Sequence, residues 1–477
     1  VSAPAEVPRR PHVVVVGAGV AGLAAALALL DSPRPPRVTV VEASGRVGGK
    51  LLVGQVGGVV LDAGAESLLA RRPEALALAR AVGLGADIVH PAAHGAGVWL
   101  GDRVRPLPAG QLMGVPTDLA ALAASGVLSL PGLARVPLDH VLPATRVDAD
   151  VAVGRYVSAR LGREVTDRLV EPLLGGVYAG HADELSMQAV LPQLAAAVRG
   201  ERSLLNAARG VQAGALRDAD RPVFAGLRGG VGRLPLAVAD AVVGRGGRLR
   251  LDCPARELRR TVHGWELAVG DASTSQTLAA DAVVLALPGA PAARLLRELV
   301  AHVAAELAAV EYASVALVAL AVPAAALPPM AGTGFLVPPV SGRLIKAVTY
   351  ASAKWAWVAQ GGGDVAVLRC SVGRHGEEAD LQRDDADLAA AAIAEVSAAT
   401  GLAAPVLDWV VTRWGGGLPQ YAVGHLGRVE RVRAGLAAHP SLALAGAALD
   451  GVGIAACVAS GQRAAAHVAH ALAAGGD

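Results

Sequence analysis

A chain of 477 residues exceeds what one hydrophobic core usually supports and predicts at least two domains. With 43 basic against 41 acidic residues and a formal net charge of +2, the overall balance gives no reason to expect a nucleic-acid partner. The 53% hydrophobic content looks membrane-like, but alanine supplies much of it, while Phe and Tyr are scarce.

The first ten residues, VSAPAEVPRR, place Arg9 and Arg10 before the uncharged run VVVVGAGVAGLAAALALL at 13 to 30, which is long enough to cross a bilayer or to imitate an export signal. Its internal spacing favours another reading. His12 to Val16 is a short β-branched run bounded by glycine, as expected of a strand buried on both faces. Gly17, Gly19 and Gly22 follow as G-x-G-x-x-G: the first for a tight turn, the second for approach of a pyrophosphate, the third for helix–strand packing. Leu23 to Leu30 continues as the helix. A second strand, VTVVEAS at 38 to 44, carries Glu42 twenty residues after Gly22, where a carboxylate can accept both ribose hydroxyls and repel a 2′-phosphate. In this order the elements predict a dinucleotide site, a fingerprint that FAD and NAD share.

The next residues, EASGRVGGK from Glu42 to Lys50, resemble the E-x-x-x-R-x-G-G extension of the amine-oxidase and phytoene-desaturase flavoproteins. The resemblance implies non-covalent FAD, with Arg46 offsetting pyrophosphate charge and Gly48 and Gly49 letting the backbone pass close. Four further segments are similar to the protoporphyrinogen and coproporphyrinogen oxidase family: DAGAESLLARRPE (62–74), EPLLGGVYAGHADELS (171–186), TRWGGGLPQYAVGHLGRV (412–429) and LAGAALDGVGIAACVASGQRAA (444–465). The last is closest to the Gram-positive type. It departs from the usual pattern at Ala455, where a proline is common, and at Ala447, where an acid is common.

The resemblance implies an α/β fold: a discontinuous Rossmann-like FAD-binding domain (12–66, 222–290 and 441–470), a mixed-sheet substrate domain (67–90 and 291–440) and a mainly helical insertion (91–221). Within this frame GGVGRLPLAVADAV (229–242) precedes strands in LRLDCPARELRR, WELAVG and DAVVLALP. Alignment places an adenine-facing backbone at Ala255. The uncharged stretch Ala313 to Gly342 is broken by five prolines and reads as a core strand, ASVALVALAV, with a loop. Trp355 and Trp357 are candidates for either packing or the cavity wall. Gly446 and the segment Gly451, Val452, Gly453 and Ile454 precede a helix expected from about Ala456, whose N–H groups and dipole would face the flavin pyrimidine.

Cys253, Cys370 and Cys457 lie far apart and suggest neither a disulfide framework nor a zinc site, which fits a reducing cytoplasm. The twelve histidines lack ligand spacing, so no metal is expected. The resemblance implies six-electron oxidation of coproporphyrinogen III, in three rounds of hydride transfer to flavin, with oxygen as acceptor and hydrogen peroxide released. It places a propionate clamp at Arg72, with Arg71 beside it, and Tyr178 in the cavity wall. Lys346, Arg343 and Arg413 are further cation candidates, and His181 and His425 are as consistent with structural roles as with proton transfer. Transient contact with a ferrochelatase and peripheral contact with a membrane stay open. Rival readings are a protoporphyrinogen oxidase, another flavin amine oxidase or desaturase, and a non-catalytic binding protein of the same fold.

Overall fold

The computed structural model describes residues 9–145, 149–215, 222–271 and 273–474. Residues 1–8, ahead of the Arg9–Arg10 pair compared above with an export signal, lie outside them, as do two short pieces of the 91–221 segment.

Five parallel strands form the first sheet, in the order Arg248–Arg250, Arg37–Val41, His12–Val16, Ala282–Leu285, Leu442–Leu444. Their spread over the sequence shows that this layer is discontinuous. His12–Val16 sits at its centre and is buried throughout, which is why that run reads as unbroken β-branched residues. The apolar 13–30 run is thus a strand, a turn and the helix Val20–Leu30, and no helix among the described residues is long and apolar enough to cross a membrane. The first helix packs against the C-terminal helix Ile454–Ala474 and against Arg233–Gly244 on one face of the sheet. Gly461 permits that contact, since a methyl there would overlap the Ala21 carbonyl. The other face is covered by the meander Ala255–Thr261, Gly264–Val269, Gln276–Ala280 and by helices that include His425–Gly435.

A second sheet of seven strands runs Asp408–Pro419, Tyr312–Pro323, Val365–Val372, Ile345–Tyr350, Gly334–Leu336, Gly97–Leu100, Arg103–Pro106. One face packs on the helix Asp385–Thr400. ASVALVALAV lies within Tyr312–Pro323, as its apolar run suggests, and Trp355 packs in the core against Gly226. The hairpin Gly97–Leu100/Arg103–Pro106, inside the stretch expected to be mainly helical, completes the sheet edge. Beyond it the chain is largely helical to Leu204–Ala215, around a separate core.

Element ends differ from the sequence reading in two places. The second strand stops at Val41 because Glu42 folds its carboxylate back onto the Ser44 N–H. The last helix starts at Ile454, two residues early, directly after the glycine turn.

Candidate active site

Gly17 leaves the central strand with φ of 104°, a conformation suited to glycine, and a methyl at this position would meet the Ala286 carbonyl. Gly22 lies so close to the Gly17 carbonyl that no side chain fits. Gly19 differs: nothing lies within 4 Å of where its Cβ would be. It is also the N-cap of the first helix and supplies no side-chain cap, so it leaves the N–H groups of the first turn uncapped. That is an anion cradle of pyrophosphate type.

The Arg46-Val-Gly-Gly segment lies along this cradle. Gly48 bridges Gly19 as a parallel pair, and its N–H donates to the Ala18 carbonyl at 2.9 Å. Arg46 is held by the Gly49 carbonyl at 2.7 Å and lies 5.7 Å from the Trp414 ring. Glu42 accepts from the Ala18 N–H at 2.8 Å through Oε2, and from the Ser44 N–H and hydroxyl through Oε1. These bonds fix the carboxylate and leave Oε2 a lone-pair direction for a ribose hydroxyl. The Asp252 and Cys253 N–H groups bond the Ser44 and Glu42 carbonyls, bringing Ala255, at the start of its strand, to the same end of the sheet.

The C-terminal segment closes the site from the other side. Gly446 (φ 119°) and Gly453 face open space, and Gly451 (φ 124°) turns the chain into the final helix. What holds this turn leaves no mark in the residue pattern. The Tyr421 hydroxyl donates to the Ala447 carbonyl at 2.6 Å and accepts from the Gly451 N–H at 2.7 Å. Its ring stacks on His425 at 3.9 Å and tilts against Tyr178 at 5.9 Å. Burial drives the Tyr421 phenol pKa upward and lowers the His425 pKa to about 4, so both are neutral near pH 7. Ala447 thus contributes through its carbonyl.

A Tyr421→Phe variant loses both bonds and is expected to be about 1–3 kcal/mol less stable and to release FAD more readily. Urea melts and flavin fluorescence on dilution measure the two effects.

Lys50 is a second residue that the sequence reading missed. It lies 5.9 Å from the Tyr312 ring, burial lowers its pKa, and the Cys457 thiol is a charge neighbour. Its only signal was a lysine directly after the glycine pair. Cys457 is buried, with its pKa pushed up to about 11 by burial, so its thiol is a poor nucleophile at neutral pH.

The remaining candidates lie apart from the cradle. Arg71 and Arg72 are exposed at the start of the helix Pro73–Ala81, which packs on the C-terminal helix, and Arg72 is bonded to Glu74 at 2.6 Å. Tyr178 ends the helix Glu171–Tyr178 and reaches the site through Tyr421. His181 is clasped by Glu171 at 2.9 Å, which raises its pKa to about 9. Arg413 is tied to Asp385, and Arg343 lies over the Trp99 ring. Cavities of about 570 and 260 Å³ open beside the helical region, the larger lined by Asp150, Arg155, Tyr156 and Val423.

A glycine cradle at a helix N-terminus, an oriented acid and a second helix N-terminus closing from the far end fit FAD. Fold and site together define a flavin-dependent oxidoreductase of the dinucleotide-binding type. The family model for flavin containing amine oxidoreductase matches residues 20–469. The coproporphyrinogen III oxidase of Bacillus subtilis (strain 168) is 32% identical over 464 residues, 95% of this chain and 97% of that one. That of Mycobacterium tuberculosis (strain ATCC 25618 / H37Rv) is 36% identical over 469 residues, covering 96% and 97%. A crystal structure from Exiguobacterium sp. 255-15 superposes with a TM-score of 0.83 at 30% identity, covering 96% of this chain and 98% of that one. The chain belongs to the flavin-containing amine oxidoreductases and, within them, to the family that holds the coproporphyrinogen III oxidases.

Proposed function

We propose that this protein oxidises coproporphyrinogen III to coproporphyrin III in haem synthesis, with oxygen as the final acceptor. The observation that carries the reading is the match to coproporphyrinogen III oxidases along nearly the whole of both chains, at 32% and 36% identity. Bound FAD supplies the chemistry, taking two electrons at a time from the substrate and passing them to oxygen.

The chain holds and encloses the reactants. The first-turn N–H groups after Gly19 and the Arg46 guanidinium answer the pyrophosphate, Glu42 takes the ribose, and the backbone at Ala255 takes the adenine. The turn from Gly451 to Ile454, braced by Tyr421 with Gly446 behind it, aims a helix N-terminus at the pyrimidine edge, where negative charge develops on reduction. Tyr178 lines the substrate side. Arg71 and Arg72, exposed at the start of their helix, are the cations this reading assigns to a propionate, and exchanging the Glu74 pair for one costs Arg72 less than about 1 kcal/mol. The same reading puts the protein in the cytoplasm and makes a ferrochelatase the natural recipient of the product.

Competition between coproporphyrinogen III and protoporphyrinogen IX tests the substrate. A higher kcat/KM for coproporphyrinogen supports the assignment, whereas preference for protoporphyrinogen moves the enzyme to the other branch of the family.

A further inference from the structure

Beside the loop that follows Tyr178 lies a group of buried charges that the cofactor site does not use. Lys346, on the strand Ile345–Tyr350, and Arg374, just after Val365–Val372, are each 5% exposed. Arg374 donates to the Val337 carbonyl at 3.1 Å and reaches Glu377 at 3.4 Å. Glu377 is itself 44% exposed and stands 3.8 Å from His181.

Lys346 has no side-chain hydrogen bond among the described residues. The strand's register against Val365–Val372 shifts between Ile345 and Ala347, which leaves Lys346 as the extra residue between Ile345 and Val348, both in the apolar core. Glu395, near the start of the strand, is already engaged by the Leu344 and Ile345 N–H groups. Burial, with the Arg374 charge adding to it, lowers the Lys346 pKa to about 7. Two buried cations thus share one half-open carboxylate, an arrangement that costs stability unless an anion completes it.

The pair adjoins the site. The His375 N–H donates to the Ala179 carbonyl at 2.7 Å, and Ala179 follows Tyr178, which touches the Tyr421 brace of the flavin turn. The helix Glu171–Tyr178 packs directly on Ile345–Tyr350. We infer that Lys346 and Arg374 form a carboxylate subsite that takes one propionate of the tetrapyrrole. This assignment rests on the substrate reading above.

The test uses the FAD-loaded enzyme, its Lys346→Met and Lys346→Arg variants, and coproporphyrin III as the binding probe, followed by porphyrin fluorescence. Lys346→Met is expected to weaken coproporphyrin III binding at least about tenfold and to raise KM more than it lowers kcat. It should also melt at a higher temperature than wild type without porphyrin, because the unpaired buried charge is gone. Lys346→Arg, which keeps the charge, should retain most of the affinity. Wild-type affinity in Lys346→Met, with normal turnover in the parent, overturns the subsite and leaves the substrate reading standing. A parent that neither binds nor turns over the coproporphyrin pair overturns both.

Discussion

Alanine at Gly22 yields a protein that is less stable even without cofactor and that purifies without FAD, whereas alanine at Gly19 yields one that folds normally and still loses FAD. The contrast follows from where each methyl would go. At Gly22 it overlaps the Gly17 carbonyl and stands 3.1 Å from the Ala286 Cβ, so the first helix must lift off the central strand. Overpacking of this kind costs about 1–3 kcal/mol, and it also moves the helix whose N–H groups form the cradle. At Gly19 the methyl meets no protein atom and fills the space that the pyrophosphate needs. Urea melts of the apo-proteins, with the ratio of flavin to protein absorbance after purification, separate the two roles. Equal apo stability for Gly22→Ala and wild type would contradict the packing argument.

Glu66→Leu is expected to destabilise the chain by about 3–5 kcal/mol, the usual effect of removing one partner from a buried ion pair. Glu66 bridges Lys354 and Arg369, 2.5 Å from the latter, and Arg369 also donates to the Gly64 carbonyl. Removing the carboxylate strands two cations that are 13% and 9% exposed. The pH dependence carries the same signature. Burial alone would raise the Glu66 pKa, but the charges of Lys354 and Arg369 outweigh it and hold the pKa at about 2, against an ordinary 4.5. The stability this confers is complete above pH 4.5 and is lost as pH falls through 2. Nearby Asp62 acts in the opposite sense: burial raises its pKa to about 6 from 3.8, so acidification from pH 6 towards 4 relieves a cost. On mild acidification the relief at Asp62 is therefore opposed by buried His425, whose pKa of about 4 makes protonation costly over the same range, and below pH 4.5 the Glu66 contribution drops away. Glu66→Leu should lack the part of that drop due to this carboxylate.

The nucleotide half was legible because its requirements are local. A buried parallel strand, a turn that tolerates only glycine and an acid at the end of the next strand each leave a residue-level mark at fixed spacing, and His12 to Glu42 carries all three. What escaped depends on contacts between segments. Nothing in PQYAVGH says that the Tyr421 hydroxyl bridges Ala447 and Gly451, because the bridge exists only once the C-terminal turn returns to the sheet. Arg72 looks like a free cation in the sequence, yet its nearest carboxylate is two residues away and holds it. Lys346 sits in IKAVTY, where alternation predicts a face only for a regular strand, and the register shift beside Lys346 breaks that regularity.

The most direct test of the central claim is aerobic turnover of coproporphyrinogen III by the purified yellow protein, with porphyrin and hydrogen peroxide quantified together. Coproporphyrin III is expected with three peroxides formed per porphyrin, since six electrons leave in pairs to oxygen. A flavin-loaded protein that forms neither product would contradict that claim.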